Sequence, residues 1–234
     1  MINMQPIGYV DSCYQEKFGI PRQSGLVQAA KGTLRLLPEF AQPESVRGLE
    51  NFSHLWLIFM FHATTDQGWK PTVRPPRLGG NARLGVFATR SMFRPNPLGL
   101  SVVRLENVRV TSDGVVLDLG GVDLLDGTPV LDIKPYLPYA DSLDDASGGF
   151  ASSAPVVVQQ VVFSDAALEQ CAVKAQQFQV DMGELILQTL QQDPRPSYRQ
   201  GAADDKLYVM HLYDFDVHWC CRADNIEVLE LVDK

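Results

Sequence analysis

With 234 residues, 45% of them apolar and 21% charged, the chain carries enough hydrophobic material for one large domain or two small ones. Its longest unbroken apolar run, Leu55 to Phe61, is too short to span a bilayer, and its first residues lack the basic-then-apolar pattern of an export signal. The expectation is a cytoplasmic protein with no membrane partner. The four cysteines, Cys13, Cys171, Cys220 and Cys221, form no C-x-x-C pair, which argues against a zinc site and a disulfide framework and leaves reduced, buried thiols.

The net charge of −8 argues at first against a nucleic-acid partner, but the charge is uneven. Residues 146–234 hold 6 Lys and Arg against 13 acids, whereas Lys70 to Arg109 hold eight cations and one acid, Glu106. Seven of those eight are Arg, whose planar fork suits phosphate or carboxylate, so a polyanion-binding segment sits inside an acidic protein.

In chain order, short β segments are predicted at Ile7–Val10, Gly32–Leu37, Ser53–Phe61, Arg83–Ala88, Leu100–Val110, Val115–Leu119 and Val130–Ile133, separated by Gly and Pro. Such spacing suggests a closed or nearly closed sheet with functional loops at its rim. The small, polar stretch Asp141–Pro155 divides residues 1–145 from residues 146–234. Ser164-Asp165 makes an N-cap for a helix over Ala166–Phe178, and Leu185, Ile186, Leu187 and Leu190 continue an apolar stripe that Pro194 ends. Lys206–Trp219 alternates like one long strand, with Leu207, Val209, Tyr213, Phe215, Val217 and Trp219 on one face. A turn at Arg222–Asn225 leads into Ile226–Val232. The fold class is mainly β, with an N-terminal barrel and a smaller α+β C-terminal domain.

No G-x-S-x-G elbow, H-E-x-x-H, phosphate loop or Rossmann fingerprint occurs; Gly120-Gly121 runs on into apolar β-like sequence. The chain has instead four loops rich in Pro, Gly and Arg: Pro21–Gln23, Arg74–Ser91, Phe93–Ser101 and Asp126–Asp141. Proline pins φ and glycine permits close backbone approach, so such loops hold a ligand at small entropic cost. His54 and His62, at the ends of the apolar run, share one strand face on this reading, His54 as a capped core histidine and His62 as a site residue.

These segments, written out as PRQ, FSHLWLIFMFH, RPPRLGGNARLGVFATRS, FRPNPLGLS, DGTPVLDIKPYLPYAD and DPRPSYR at Asp193–Arg199, resemble the TsaA/YaeB-like family over nearly the whole chain. The family's members methylate N6 of threonylcarbamoyladenosine at position 37 of tRNA. The resemblance implies a β-barrel that binds S-adenosylmethionine outside the Rossmann scheme, works as a homodimer, meets the tRNA anticodon loop and uses no metal. Carried over by motif, cofactor contacts are expected at Pro21, Arg22, Gln23, His62, Ala63, Arg90, Leu100, Asp126, Gly127 and Thr128. A carboxylate such as Asp126 receives hydroxyls or an ammonium, Arg90 a carboxylate, and backbone near Leu100 an adenine edge. A urea-like N6 attacks poorly until its proton is being removed, so a base is sought, with Asp126 or Tyr136 favoured and Asp132 nearby. Arg74, Arg77, Arg83 and Arg94 are expected to meet RNA phosphates, with Arg195 and Arg199 as a second contact. Two alternatives stand beside this reading: the same barrel acting on another acceptor, and a non-catalytic RNA-binding module.

Overall fold

The computed structural model describes residues 3–155, 160–196, 199, 204–223 and 225–234. Ser197 and Tyr198 of the DPRPSYR segment, and Asp224 of the expected turn, lie outside them. Two compact units form, the first from Met1–Asp11, Gly32–Gly120 and Gly127–Ala154, the second from Ser12–Lys31, Gly121–Asp126 and Pro155–Lys234. They are not two consecutive stretches of chain.

The first unit holds β1 (Gly8–Ser12), β2 (Lys31–Leu36), β3 (His54–Met60), β4 (Thr72–Val73), β5 (Leu84–Gly85), β6 (Leu98–Thr111), β7 (Gly114–Gly120) and β8 (Thr128–Pro135). Six of these close a barrel in the order β1-β2-β7-β6-β3-β8, while β4 and β5 form a separate ribbon. Closure gives every strand a neighbour on both sides along at least part of its length and lets one face of every strand point inward. Val10, Leu34, Leu55, Leu57, Val103, Leu117, Leu119 and Val130 are at most 1% exposed, and burying each is worth about 1.5–3 kcal/mol. The strand expected over Arg83–Ala88 is shorter than its β-branched and aromatic residues suggested: β5 takes two residues, and Val86–Ala88 turn into a 3-10 helix. A four-residue helix, α1 (Pro138–Asp141), follows β8.

The second unit contains β9 (Gln160–Phe163), α2 (Asp165–Phe178), α3 (Met182–Gln191), β10 (Asp204–Leu212), β11 (Phe215–Cys221) and β12 (Asn225–Asp233). Its sheet runs β10-β11-β12-β9, with β9 parallel to β12. The Ser164 hydroxyl accepts from the Ala167 N–H and the Asp181 carboxylate from the Glu184 N–H, capping both long helices. Met182, Leu185, Ile186 and Leu190 are fully buried along one side of α3.

One expected element is corrected here. Lys206–Trp219 is not a single strand but a hairpin, turning at Tyr213-Asp214 with Leu212 facing Phe215. Tyr213 takes φ 49°, so the left-handed turn is made without glycine. The two-residue turn flips the inward parity: Tyr208, Met210 and Leu212 are buried in β10, then Phe215, Val217 and Trp219 in β11, leaving Leu207 and Val209 exposed. Among the described residues no helix is long and apolar enough to cross a membrane.

Candidate active site

Antiparallel register decides which loops of the barrel meet. Val10 faces Thr128, Phe59 faces Val130 and Met60 faces Leu98, and the Phe61 N–H donates to the Pro97 carbonyl at 2.8 Å. The ends of β1 and β3 and the starts of β6 and β8 therefore share one rim. Among the expected cofactor residues, His62, Ala63, Leu100, Gly127 and Thr128 gather there. His62 opens a 3-10 helix, His62–Gln67, rather than continuing the strand face, and His54 is half-buried on the outer wall against Tyr136 instead of inside the core.

Gly99 serves packing at this rim: a Cβ there would overlap the Phe59 ring, which in turn meets Phe61 edge-on at 5.0 Å. Beside it, β7 pairs only with Arg104–Thr111 of β6. The stretch Leu98–Val103 thus bonds β3 along one edge, and among the described residues its other edge carries no strand. Every second backbone group there points to a position where a ligand can be read.

Residues 61–97 form one long excursion from this rim, carrying Arg90. The loop is tied to itself by its own motif residues. The Thr89 hydroxyl donates to the Val86 carbonyl at 2.8 Å and accepts from the Ser91 N–H, and the Ser91 hydroxyl accepts from the Phe93 N–H. The Arg94 guanidinium donates to the Thr89 carbonyl at 2.7 Å and the Val86 carbonyl at 3.3 Å. Arg90 is exposed between two residues whose hydroxyls are spent on the backbone.

Pro21, Arg22, Gln23 and Asp126 belong to the second unit, where Pro21 is buried and Arg22 and Gln23 are exposed. Asp126 is fixed by a knot between two distant segments. Its Oδ1 accepts from the Ser12 N–H at 2.8 Å, its own N–H donates to the Tyr14 carbonyl, and the Ser12 hydroxyl donates to the Leu124 carbonyl at 2.6 Å. Gly127 follows at φ 70°, a left-handed turn that glycine makes without strain, and delivers Thr128 into β8. Ser12 carried no signal in the sequence, because its partners lie more than 110 residues away. Burial pushes the neighbouring Cys13 thiol and Tyr14 phenol well above their ordinary ranges, so neither is poised as a base. All four cysteines are buried and free, and among the described residues no group of three or more His, Cys, Asp or Glu could hold a metal.

Tyr136 lies apart from the rim. It follows the far end of β8, about 30 Å from Gly127 at strand rise, where it packs on Trp56 at 5.9 Å and near His54. Asp132 is bound to Lys134 at 3.1 Å on the barrel wall.

Two family models match this chain: the tRNA-methyltransferase O N-terminal domain over residues 9–142 and the TrmO C-terminal domain over residues 157–234. The chain belongs to the tRNA-methyltransferase O family. It is 52% identical over 227 residues to the tRNA (adenine(37)-N6)-methyltransferase of Escherichia coli (strain K12), covering 97% of this chain and 96% of that one. It is 50% identical over 230 residues to a putative S-adenosylmethionine-dependent methyltransferase, RcsF, of Pseudomonas aeruginosa, covering 98% and 97%. The crystal structure of TrmO from Pseudomonas aeruginosa is similar with a TM-score of 0.83 at 45% identity, covering 99% of this chain and 98% of that one.

The arginines of this chain divide by their surroundings. Arg74 is exposed on the excursion. Arg77, also exposed, donates to the Ser153 carbonyl and hydroxyl, and Arg83 donates to the Thr72 hydroxyl at 3.2 Å. Arg104 pairs with Glu106 and Arg109 forks onto Asp118, so these two cations of the basic stretch are neutralised on the barrel sheet. Arg195 corrects an expectation. It is 1% exposed, with its guanidinium forked on Asp193 by two 2.8 Å bonds, and so does not offer its charge to phosphate. Arg199 pairs with Asp204 at 3.1 Å and remains partly exposed.

Proposed function

We propose that this tRNA methyltransferase of the S-adenosylmethionine-dependent class acts on N6 of threonylcarbamoyladenosine at position 37, in the anticodon loop. The observation that carries the reading is the meeting of three of the motif loops, those around β6 and before β8, at one barrel rim, in a chain that matches both family models. The donor set suits the cofactor. The Arg90 guanidinium takes its carboxylate, Asp126 takes its ammonium or ribose hydroxyls, and the open edge of β6 around Leu100 reads its adenine. His62, Ala63, Gly127 and Thr128 shape the rim, with Pro21, Arg22 and Gln23 completing the contacts.

When bound, S-adenosylmethionine supplies an electrophilic methyl group on a sulfonium. The chain's own part is to hold N6 in line with that methyl and to exclude water, which rigid, self-bonded loops do at low entropic cost. A base for the N6 proton comes from Asp126, oriented through Ser12, or from Tyr136, which at the far end of β8 from the rim would have to act from the other protomer. The threonylcarbamoyl carbonyl gives the enzyme a handle that plain adenosine lacks. Residues 1–145 bind the cofactor and carry the reaction, and residues 146–234 contribute to tRNA binding. The protein works in the cytoplasm as a homodimer. Trp56, Ile58 and Met60 on β3 and Leu98, Leu100 and Val102 on β6 support the dimer, since they leave the outer barrel wall apolar and only partly buried.

Nucleoside mass spectrometry of tRNA incubated with protein and S-adenosylmethionine tests this. The expected product is methylated threonylcarbamoyladenosine. Equal methylation of a transcript without the threonylcarbamoyl group would refute the acceptor and leave the reaction class standing.

A further inference from the structure

Two large rings of the first unit stand in solvent on the cationic excursion: Phe87 is 73% exposed and Trp69 is 56% exposed. We propose that Phe87 and Trp69 form a stacking platform for an unpaired base of the RNA substrate; this rests on the tRNA reading above.

The backbone brings the two residues to one end of a ribbon. Thr72 faces Gly85 and Val73 faces Leu84 in the β4–β5 ribbon, and the Val86 N–H extends it by donating to the Pro71 carbonyl at 3.0 Å. The Lys70 N–H donates to the Phe93 carbonyl at 3.1 Å. Trp69 and Phe87 thus emerge at the same end of one ribbon. Phe87 is braced there. It is the middle residue of the 3-10 turn Val86–Ala88, whose first residue is 1% exposed and anchors it. The Arg94 guanidinium lies 5.5 Å from the Phe87 ring centroid and is itself held by the Thr89 and Val86 carbonyls. Beside it, the Lys70 ammonium sits 3.9 Å over the Phe93 ring.

A ring fixed by backbone and guanidinium yet left in water contributes little to a core. The charge around it selects the partner. Between Phe61 and Pro97 there are six Lys and Arg and one acid, Asp66, so the surface complements a polyanion. Unpaired RNA meets both features at once, bases stacking on rings while phosphates meet the flanking cations. An acidic second copy of this chain or an apolar small molecule meets only one.

The test is tRNA methylation kinetics with Phe87→Leu and Trp69→Leu, which keep apolar bulk without a ring, and with Phe87→Tyr, which keeps the ring. Each Leu variant is expected to raise the KM for tRNA about tenfold, with Phe87→Tyr close to wild type. The slope of log KM against log salt is expected to stay unchanged, because every cation that meets a phosphate is kept. Trp69 emission, isolated as the difference between wild type and Trp69→Phe, is expected to be quenched by an anticodon stem-loop RNA. Weakened S-adenosylmethionine binding would assign the rings to the cofactor, and an altered sedimentation coefficient would assign them to a second copy; either overturns the platform. Wild-type methylation with unaltered KM in both Leu variants overturns it alone. If wild type methylates no tRNA, the functional reading fails first, and absence of quenching by the stem-loop then sinks the platform as well.

Discussion

Two arginine-bearing segments of this protein, the excursion around Arg74–Arg94 and the DPRPSYR segment, look alike in composition and differ in what their charges do. In the second, Asp193 sits two residues before Arg195, and the pair closes on itself with the guanidinium buried. In the first, Asp66 is the only acid between residues 61 and 97, against six Lys and Arg, so the segment keeps a large excess of positive charge. The same residue type closes an internal clamp where an acid lies two residues away and leaves a net positive surface where acids are scarce.

The sharpest way to break this comparison is Arg195→Met. It leaves the Asp193 carboxylate, 17% exposed, without its fork and is expected to cost about 3–5 kcal/mol in thermal or denaturant unfolding. A change within 0.5 kcal/mol, roughly the scatter of surface substitutions, would return Arg195 to the surface class. On the other segment, Arg90→Ala is expected to weaken S-adenosylmethionine binding by about 1.5–3 kcal/mol in calorimetry, with unfolding unchanged. Asp126→Asn keeps an acceptor for the Ser12 N–H and is expected to show a loss of similar size. A melting shift larger than the affinity loss would make either residue a support of the fold.

Charge reversal separates the two segments more finely. Arg74→Glu is expected to raise the KM for tRNA and flatten its salt dependence by roughly 0.7 for each phosphate no longer neutralised, leaving cofactor affinity unchanged. A flattened slope in Arg199→Glu together with an unaltered one in Arg74→Glu and Arg77→Glu would move the RNA surface to the C-terminal residues. The smallest effect concerns Asp204, whose carboxyl is held below its ordinary value of 3.8 chiefly by the Tyr208 hydroxyl at 2.7 Å, with Arg199 assisting. Because the folded value is lowered, this stabilisation is present above about pH 4 and lost as pH falls through the folded value. Tyr208→Phe is therefore expected to cost about 1 kcal/mol near neutrality and to converge on wild type in acid; a constant gap at all pH would show packing alone.

The barrel was legible because its strands are short, apolar and bounded by Gly and Pro, and the site loops were legible because their composition has few other uses. What escaped the sequence was of two kinds. The β10–β11 turn at Tyr213-Asp214 carries no glycine, so alternation ran straight through it and reversed the predicted faces of Leu207 and Val209. The tie between Ser12 and Asp126, and the packing of Tyr136 against Trp56, depend on register between distant segments, which local pattern does not encode. Leu55 to Phe61 read as unbroken rather than alternating for a third reason: β3 is apolar on its outer wall as well as its inner one.

The chain passes between its two compact units five times, at 11/12, 31/32, 120/121, 126/127 and 154/155. Such a molecule cannot be divided by one cut. A fragment beginning at residue 155 would lack Cys13, Tyr14 and Val27, all at most 1% exposed in the intact protein, and would lose the Tyr14–Leu212 bridge and the Ala29–Gln188 bond that tie them in. The C-terminal residues are thus not a portable cassette, although their family match begins at residue 157. Each crossing makes both cores depend on segments far apart in the chain, and such non-local contacts are expected to slow folding.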